Sequence, residues 1–161
     1  MNRAVYALSL LVALAVGFAG CGGGSTSSDG TEPSRSAIAM VSADSVGDLG
    51  TILVDAEGQT LYIFHKDRST KYVGLSSACY GACAKSWQPL LTGGEPAAEG
   101  GAIDTKLGTL KRKDGTLQVT YYGHPLYTYV GDGGPGEASG NDVTAFDGEW
   151  STLRPNDQKP N

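Results

Sequence analysis

The sequence predicts a mainly β fold, a single small domain built from two related repeats that each contain a β-hairpin, with a short helical turn near a pair of cysteines. The first observation is internal similarity, because residues 58–67 align with residues 123–132 at an offset of 65 and share Gly, Leu, Tyr and Asp. The second is that Trp-Gln-Pro-Leu at 87–90 is echoed by Trp-Ser-Thr-Leu at 150–153. Neither copy could bury its apolar residues alone, so we expect the two copies to pack together.

Turn sequences place the strands. Residues 51–54 and 60–64 are rich in β-branched and aliphatic side chains and flank a four-residue loop that ends in Gly. Residues 107–111 and 116–121 flank an Asp-Gly pair, which is a strong signal for a tight hairpin turn. A further strand is expected over residues 126–130, directly after a Gly-His-Pro turn.

The strand over residues 60–64 is expected to be central in its sheet. Side chains alternate between the two faces of a strand. Tyr62 and Phe64 therefore share one face, whereas Leu61 and Ile63 share the other. The second copy repeats this alternation from Leu126 to Val130. Because both faces of each strand are apolar, we predict that both faces are covered.

The segments between these strands have other compositions. Residues 81–87 contain two alanines and a lysine and predict one or two helical turns. Residues 93–101 and the Gly-rich residues 131–140 are predicted to be loops.

The N-terminal segment resembles an export signal. Arg3 is followed by an apolar stretch of about thirteen residues, which is short for a membrane span. Ala19-Gly20-Cys21 resembles a bacterial lipobox, in which the Cys is acylated, typically with palmitate, and becomes the mature N terminus. An ordinary signal peptide with an incidental Cys, or an uncleaved anchor, is the alternative.

Composition then divides the chain. We assign residues 1–20 to the lipoprotein signal peptide and residues 21–44 to the lipidated Cys and a flexible Gly/Ser-rich linker. The two-repeat domain is assigned to residues 45–155, with repeat one at about 48–92 and repeat two at about 105–155, followed by a tail at 156–161.

Charge limits the partners. The chain has 12 Lys+Arg against 17 Asp+Glu and a formal net charge of −5. This acidic balance argues against nucleic acid, which needs a basic face. The expected partners are the membrane, through the lipid anchor, and an unknown protein or small ligand. The expected location is the cell envelope, at the outer face of the cytoplasmic membrane or the outer membrane.

The remaining cysteines have two interpretations. With Cys21 acylated, Cys79 and Cys83 are left as an even pair in an oxidising compartment, which favours a disulfide. Alternatively, they could combine with His65 and His124 as ligands of zinc or cuprous copper, or serve a haem-associated site. No cofactor is predicted as the first choice.

Two short motifs, Tyr62-x-Phe64-x-x-Asp67 and Tyr127-x-Tyr129-x-x-Asp132, resemble those of a known family. They resemble the predicted bacterial lipoproteins with a Y-x-[FWY]-x-x-D motif, also described as a secreted repeat of unknown function. The resemblance implies an exported lipoprotein with paired repeats and implies no established activity. The motif residues are Tyr62, Phe64 and Asp67 in the first copy, and Tyr127, Tyr129 and Asp132 in the second.

The motif residues are open to a structural or a functional interpretation. As structure, the aromatic side chains fill a core layer, and each Asp accepts backbone N–H hydrogen bonds in the following turn. As function, the hydroxyls and carboxylates line a shared pocket between the repeats. The sequence contains no recognisable catalytic motif. We therefore expect a non-enzymatic binding or interaction module, the alternative being an envelope metal or haem-associated redox or trafficking protein.

Overall fold

A computed structural model describes residues 37–70 and 74–157. One α-helix lies in these ranges, α1 (Ala82–Ser86), together with 3₁₀ turns at Gly47–Leu49 and Asp104–Lys106. Among these residues no helix has the length and apolar character needed to cross a membrane. The strands are β1 (Met40–Val46), β2 (Gly50–Asp55), β3 (Tyr62–Phe64), β4 (Arg68–Thr70), β5 (Gly74–Ser76), β6 (Trp87–Pro89), β7 (Leu91–Thr92), β8 (Ala97–Ala98), β9 (Leu107–Lys111), β10 (Leu117–Tyr121), β11 (His124–Pro125), β12 (Tyr127–Tyr129), β13 (Val143–Ala145) and β14 (Gly148–Thr152).

The tight turn predicted at Asp114-Gly115 is present. It joins β9 to β10, which pair antiparallel from Lys111 opposite Leu117 onwards. The turn needs glycine, because Gly115 adopts a φ of 85°, a left-handed conformation that residues with a Cβ rarely adopt. Asp114 Oδ1 accepts a hydrogen bond from the N–H of Thr116 at 3.0 Å, so the carboxylate closes the turn from the side chain.

The strands of the two copies are interleaved in the largest sheet. Its five strands run in the order β13-β14-β3-β12-β6. β3 and β6 come from the first copy, and the other three strands come from the second. Each central strand is flanked by a strand from the opposite copy: β14 pairs with β3, and β6 pairs with β12. Neither copy therefore supplies all the strands of this sheet.

Equivalent residues meet at the centre of this sheet. Tyr62 on β3 lies opposite Tyr127 on β12 in an antiparallel pair. On the flanks, Trp150 lies opposite Phe64 and Trp87 lies opposite Tyr129. An antiparallel pair of equivalent strands has an approximate two-fold axis between its two central residues. The internal repeat is therefore expressed as approximate two-fold symmetry.

Both faces of β3 are buried, as its alternating pattern predicts. Leu61 and Ile63 belong to one buried cluster, which also contains Leu126. Tyr62 and Phe64 belong to a second cluster on the other face. The remaining buried members of the first cluster are Val41, Leu53, Val119, Tyr121 and Leu153, and those of the second are Cys79, Cys83, Trp87, Tyr127 and Trp150.

Three details differ from the sequence-based predictions. The predicted linker, residues 21–44, extends too far, because β1 begins at Met40 and pairs along its length with β2. The predicted loop at residues 93–101 contains β8, which pairs in parallel with β1. Val130, predicted to lie on a covered face of its strand, is 56% exposed. It lies beyond the end of β12 at Tyr129, although its N–H still donates to the carbonyl of Ser86.

Candidate functional site

The two family motifs are joined to each other by reciprocal hydrogen bonds. The hydroxyl of Tyr62 donates to Oδ2 of Asp132 at 2.7 Å. The hydroxyl of Tyr127 donates to Oδ2 of Asp67 at 2.8 Å. In each case the Tyr and the Asp come from different copies. We call these two hydrogen bonds the clasps. They lie symmetrically about the approximate two-fold axis and link the copies through their polar groups as well as their strands.

Each motif carboxylate also holds its own loop. Asp67 Oδ1 accepts a hydrogen bond from the N–H of Ala78 at 2.7 Å. Asp132 Oδ1 accepts one from the N–H of Ser139 at 2.8 Å. Both carboxylates therefore close the loop that follows them, while their second oxygen receives the tyrosine of the other copy. The structure places the aspartates in the structural role considered for them and adds the link between copies.

Burial changes the titration of the clasps. Burial, followed by the charge of Asp67, raises the pKa of Tyr127 well above its ordinary value. Burial, followed by the hydrogen bond to Asp132, raises the pKa of Tyr62 in the same way. Burial also raises the pKa of Asp67 to about 6, against the lowering effects of its hydrogen bonds and of nearby Arg112. The tyrosines therefore remain neutral donors at physiological pH.

A stack of four aromatic rings lies beside the clasps. Its order is Phe64, Trp150, Trp87 and Tyr129, with successive ring centroids 4.1, 3.9 and 4.2 Å apart. The two tryptophans occupy equivalent positions and meet face to face at an interplanar angle of 6°. The two clasp tyrosines meet the stack edge-on, at 5.3 and 5.2 Å. We call this arrangement the ring stack; it packs the motif aromatics mainly as core.

The region of the Tyr127–Asp67 clasp contains a buried arginine that the sequence analysis missed. Arg112 is 4% exposed, and its guanidinium donates to the carbonyl of Cys79 at 2.8 Å and to Oε1 of Gln118 at 2.6 Å. It also donates at 3.1 Å to the hydroxyl of Ser77, which lies 2.8 Å from the hydroxyl of Tyr127. No local pattern marks Arg112, because its partners come from distant parts of the chain.

The cysteine pair is bonded within this region. Cys79 and Cys83 form a disulfide with a Cα–Cα distance of 5.2 Å. Both side chains are buried in the cluster that contains the ring stack. The disulfide encloses the start of α1, which is the short helix predicted over residues 81–87. The sulfurs are therefore bonded to each other and are not free thiols.

Two adjoining clefts lie where β6 and β12 meet the β2–β3 loop. The first has a volume of 320 Å³ and includes Tyr129 and Asp132. The second has a volume of 250 Å³ and includes Ile38 and Met40. Both are lined by Asp55, Glu57, Gln88 and Thr128. The first cleft brings the outer end of the ring stack together with the carboxylate of one clasp.

Comparison with known sequence families shows which family the chain is related to. A family described as a secreted repeat of unknown function matches twice, at residues 45–91 and 108–154. The two matches together span more than half of the chain. The chain belongs to this family. The two secreted repeats coincide with the interleaved copies and lie close to the predicted repeats at 48–92 and 105–155. The family description agrees with an extracellular or envelope location.

Searches of curated proteins and of solved structures returned no match for the chain. The relationship therefore rests on the two secreted repeats.

The histidines of the secreted repeats are not gathered with the cysteines. His65 Nε2 lies 2.8 Å from the hydroxyl of Ser151, and His124 lies in β11 on a different sheet. Within residues 37–70 and 74–157, no group of three or more His, Cys, Asp or Glu side chains is placed to hold a metal ion. The considered set of Cys79, Cys83, His65 and His124 is therefore not assembled. Cys21, the predicted acylation site, lies outside the described residues.

Proposed function

We propose that this protein is an exported lipoprotein, acylated at Cys21, whose secreted-repeat domain acts as a non-enzymatic binding module at the cell envelope. The lipid anchor is supported by the apolar stretch that precedes Ala19-Gly20-Cys21 and by the family description. The fifteen residues between Cys21 and Ala37 are rich in Gly and Ser. This composition is typical of linkers, as expected of a segment that joins a lipid anchor to a domain.

The clasps carry the binding-module proposal. The hydroxyls and carboxylates that the two motifs share are hydrogen-bonded to each other across the copies. Their chemistry is thus used to hold the two copies together. The first cleft is lined by the motif residues Tyr129 and Asp132, and the second adjoins it; concave sites with a few polar groups are where ligands bind most often.

The anchor is tested with the single variant Cys21→Ser. In cells supplied with an alkynyl fatty acid, the wild-type chain should be labelled and recovered with membranes, whereas Cys21→Ser should be unlabelled and soluble. Ser27→Ala, in the same tether, is the matched control and should behave as wild type. Recovery of unlabelled Cys21→Ser with membranes would contradict acylation and favour an uncleaved anchor.

The binding role is tested by photocrosslinking in intact envelopes. A photoreactive residue at Gln88, exposed on both clefts, should give a discrete adduct. The same residue at Glu149, exposed on β14, should not give that adduct. Identical adduct patterns at both positions would contradict a specific role for the clefts. Turnover of ester or glycoside substrates by the purified chain would contradict the non-enzymatic assignment.

A further inference from the structure

The rings at the two ends of the ring stack, Phe64 and Tyr129, occupy equivalent positions in the repeats but are covered to different extents. At the Phe64 end, the ring is 2% exposed. Lys66 follows two residues later, and its Nζ donates to the carbonyl of Phe146 at 3.2 Å and lies 3.4 Å from Asp147. A Cβ added at Gly148 would approach both Phe64 and Lys66, at 2.6 and 3.1 Å. This end of the stack is therefore closed by the β13–β14 turn and by Lys66.

The Tyr129 end is partly exposed. Gly131 stands where the first repeat has Lys66, and it is exposed. The backbone of Gly131 packs against the ring of Tyr129, where a Cβ would collide with it, and Gly131 has no side chain that could cover more of that ring. Tyr129 is half-buried and lines the first cleft. The second repeat thus presents to the cleft a ring whose counterpart in the first repeat is covered.

Asp55 supplies a second, independent feature of the same cleft. It is 8% exposed, and its Oδ1 accepts hydrogen bonds from the N–H groups of Glu57 at 3.0 Å and Gln59 at 2.8 Å. These bonds hold the β2–β3 loop. Its Oδ2 accepts no hydrogen bond from any other described residue, although Asp55 lines both clefts. Burial accordingly raises the pKa of Asp55, because a desolvated carboxylate without a cationic partner is unfavourable.

The charged side chains that line the first cleft beside Tyr129 are all acidic. Asp55, Glu57 and Asp132 line the first cleft, and none of its described lining residues is Lys, Arg or His. No three of the described acidic or metal-binding side chains are close enough together to hold a metal ion. The cleft therefore combines a partly exposed aromatic ring, a carboxylate oxygen of a mostly buried side chain that accepts no hydrogen bond from another described residue, and an excess of negative charge. An aromatic face and carboxylates together recognise organic ammonium groups.

We infer that the first cleft binds the ammonium group of an organic cation, with Tyr129 contacting the cation through its ring and Asp55 Oδ2 accepting its hydrogen bond. This inference rests on the proposed binding function and specifies its ligand class. Gln59 and Gln88, which line the same cleft, supply amide groups for the polar parts of the ligand. A neutral polyol lacks the charge that the three carboxylates favour.

The test uses a pair of matched probes, 1,5-diaminopentane and the neutral 1,5-pentanediol. They are titrated into the Cys21→Ser chain, with amide chemical shifts as the readout. The diamine should give saturable shifts centred on Tyr129, Asp55 and Gln88, and the diol should give none. Asp55→Asn keeps an acceptor for the loop N–H groups and should weaken diamine binding by about 10-fold, the effect of losing one charged hydrogen bond. Tyr129→Leu should weaken it by a similar factor.

Glu149→Gln is the matched control, because it removes one exposed carboxylate outside both clefts. It should change the affinity less than about 2-fold, as expected for a distant surface charge. Three results would each overturn the inference: equal binding of the diol and the diamine, a loss of diamine affinity in Glu149→Gln equal to that in Asp55→Asn, or no saturable shift with the diamine. If these results appear while crosslinking at Gln88 still gives its adduct, the binding function stands and the ligand class is wrong. Loss of the adduct would contradict the proposed function itself.

Discussion

The hydroxyl of Tyr62 donates a 2.7 Å hydrogen bond to the carboxylate of Asp132, a residue of the other repeat. The equivalent hydrogen bond runs in the opposite direction between the repeats, from the hydroxyl of Tyr127 to the carboxylate of Asp67. The motif is thus not a self-contained site in either repeat. Its aromatic residues enter a shared ring stack, and its Tyr and Asp connect two halves that are incomplete alone.

Gly140 tests the packing around the first clasp. A Cβ at this position would lie 2.7 Å from Cη2 of Trp87 and 3.0 Å from Cζ of Tyr62. Gly140→Ala should therefore destabilise the domain by about 1–3 kcal/mol, as expected for overpacking a tight core, and urea unfolding measures this. Gly134→Ala is the matched control, because a Cβ there meets nothing within 4 Å. Equal stability of the two variants would show that the ring stack can adjust.

The titration of Asp67 predicts how stability depends on pH. Its pKa is raised from 3.8 to about 6, mainly by burial, so the folded state binds its proton more tightly than the unfolded state. The stability from this group is fully present below about pH 4 and is lost as pH rises through about 6. Acidification from pH 7 to 4.5 should therefore increase the contribution of Asp67, with a slope of at most about 1.4 kcal/mol per pH unit.

Urea unfolding of the wild type and of Asp67→Asn at both pH values isolates this contribution. The free energy of unfolding of the wild type, minus that of Asp67→Asn, should be larger at pH 4.5 than at pH 7. Asp55, whose pKa is also raised, remains in the variant and contributes with the same sign in both proteins. A difference that becomes larger as pH rises would contradict the assignment.

The disulfide is predicted to make a modest contribution to stability. Cys79 and Cys83 are four residues apart, and closing so short a loop stabilises by only about 2 kcal/mol on the chain-entropy model. Replacing both cysteines with Ser should lower stability by about this amount and leave cooperative unfolding intact. Intact mass of the oxidised chain should be two hydrogens below the reduced mass. A free-thiol mass with a stoichiometric metal adduct would instead support the alternative metal or haem role.

Separating the repeats tests their interdependence. A chain that ends at residue 92 retains β3 and β6 but lacks β12 and β14, the strands between and beside them. Its aromatic residues would be exposed, so it should show no cooperative thermal transition by circular dichroism, whereas the full chain should show one. A cooperative transition in the fragment would mean that one repeat is an independent folding unit.

Local patterns predicted the parts of this fold that depend on local chemistry. The Asp-Gly turn, the alternation around Ile63 and the helix before Trp87 follow from short-range rules. The pairing of Tyr62 with Asp132, residues 70 positions apart, does not, because register between distant strands depends on the whole sheet. Arg112 was missed for the same reason. Residues 40–44 of β1 were assigned to the linker, because the pairing with β2 that makes them a strand is a contact between separate segments and not a local pattern.

The most direct test of the reciprocal clasps is a pair of double-mutant cycles measured by urea unfolding. One cycle combines Tyr62→Phe with Asp132→Asn, across the repeats, and the other combines Tyr62→Phe with Asp67→Asn, within one repeat. The first should give a coupling free energy of about 1 kcal/mol or more, as expected for a hydrogen bond to a charged group. The second should add within about 0.5 kcal/mol. Additivity in the first cycle, or equal coupling in both, would contradict the clasps.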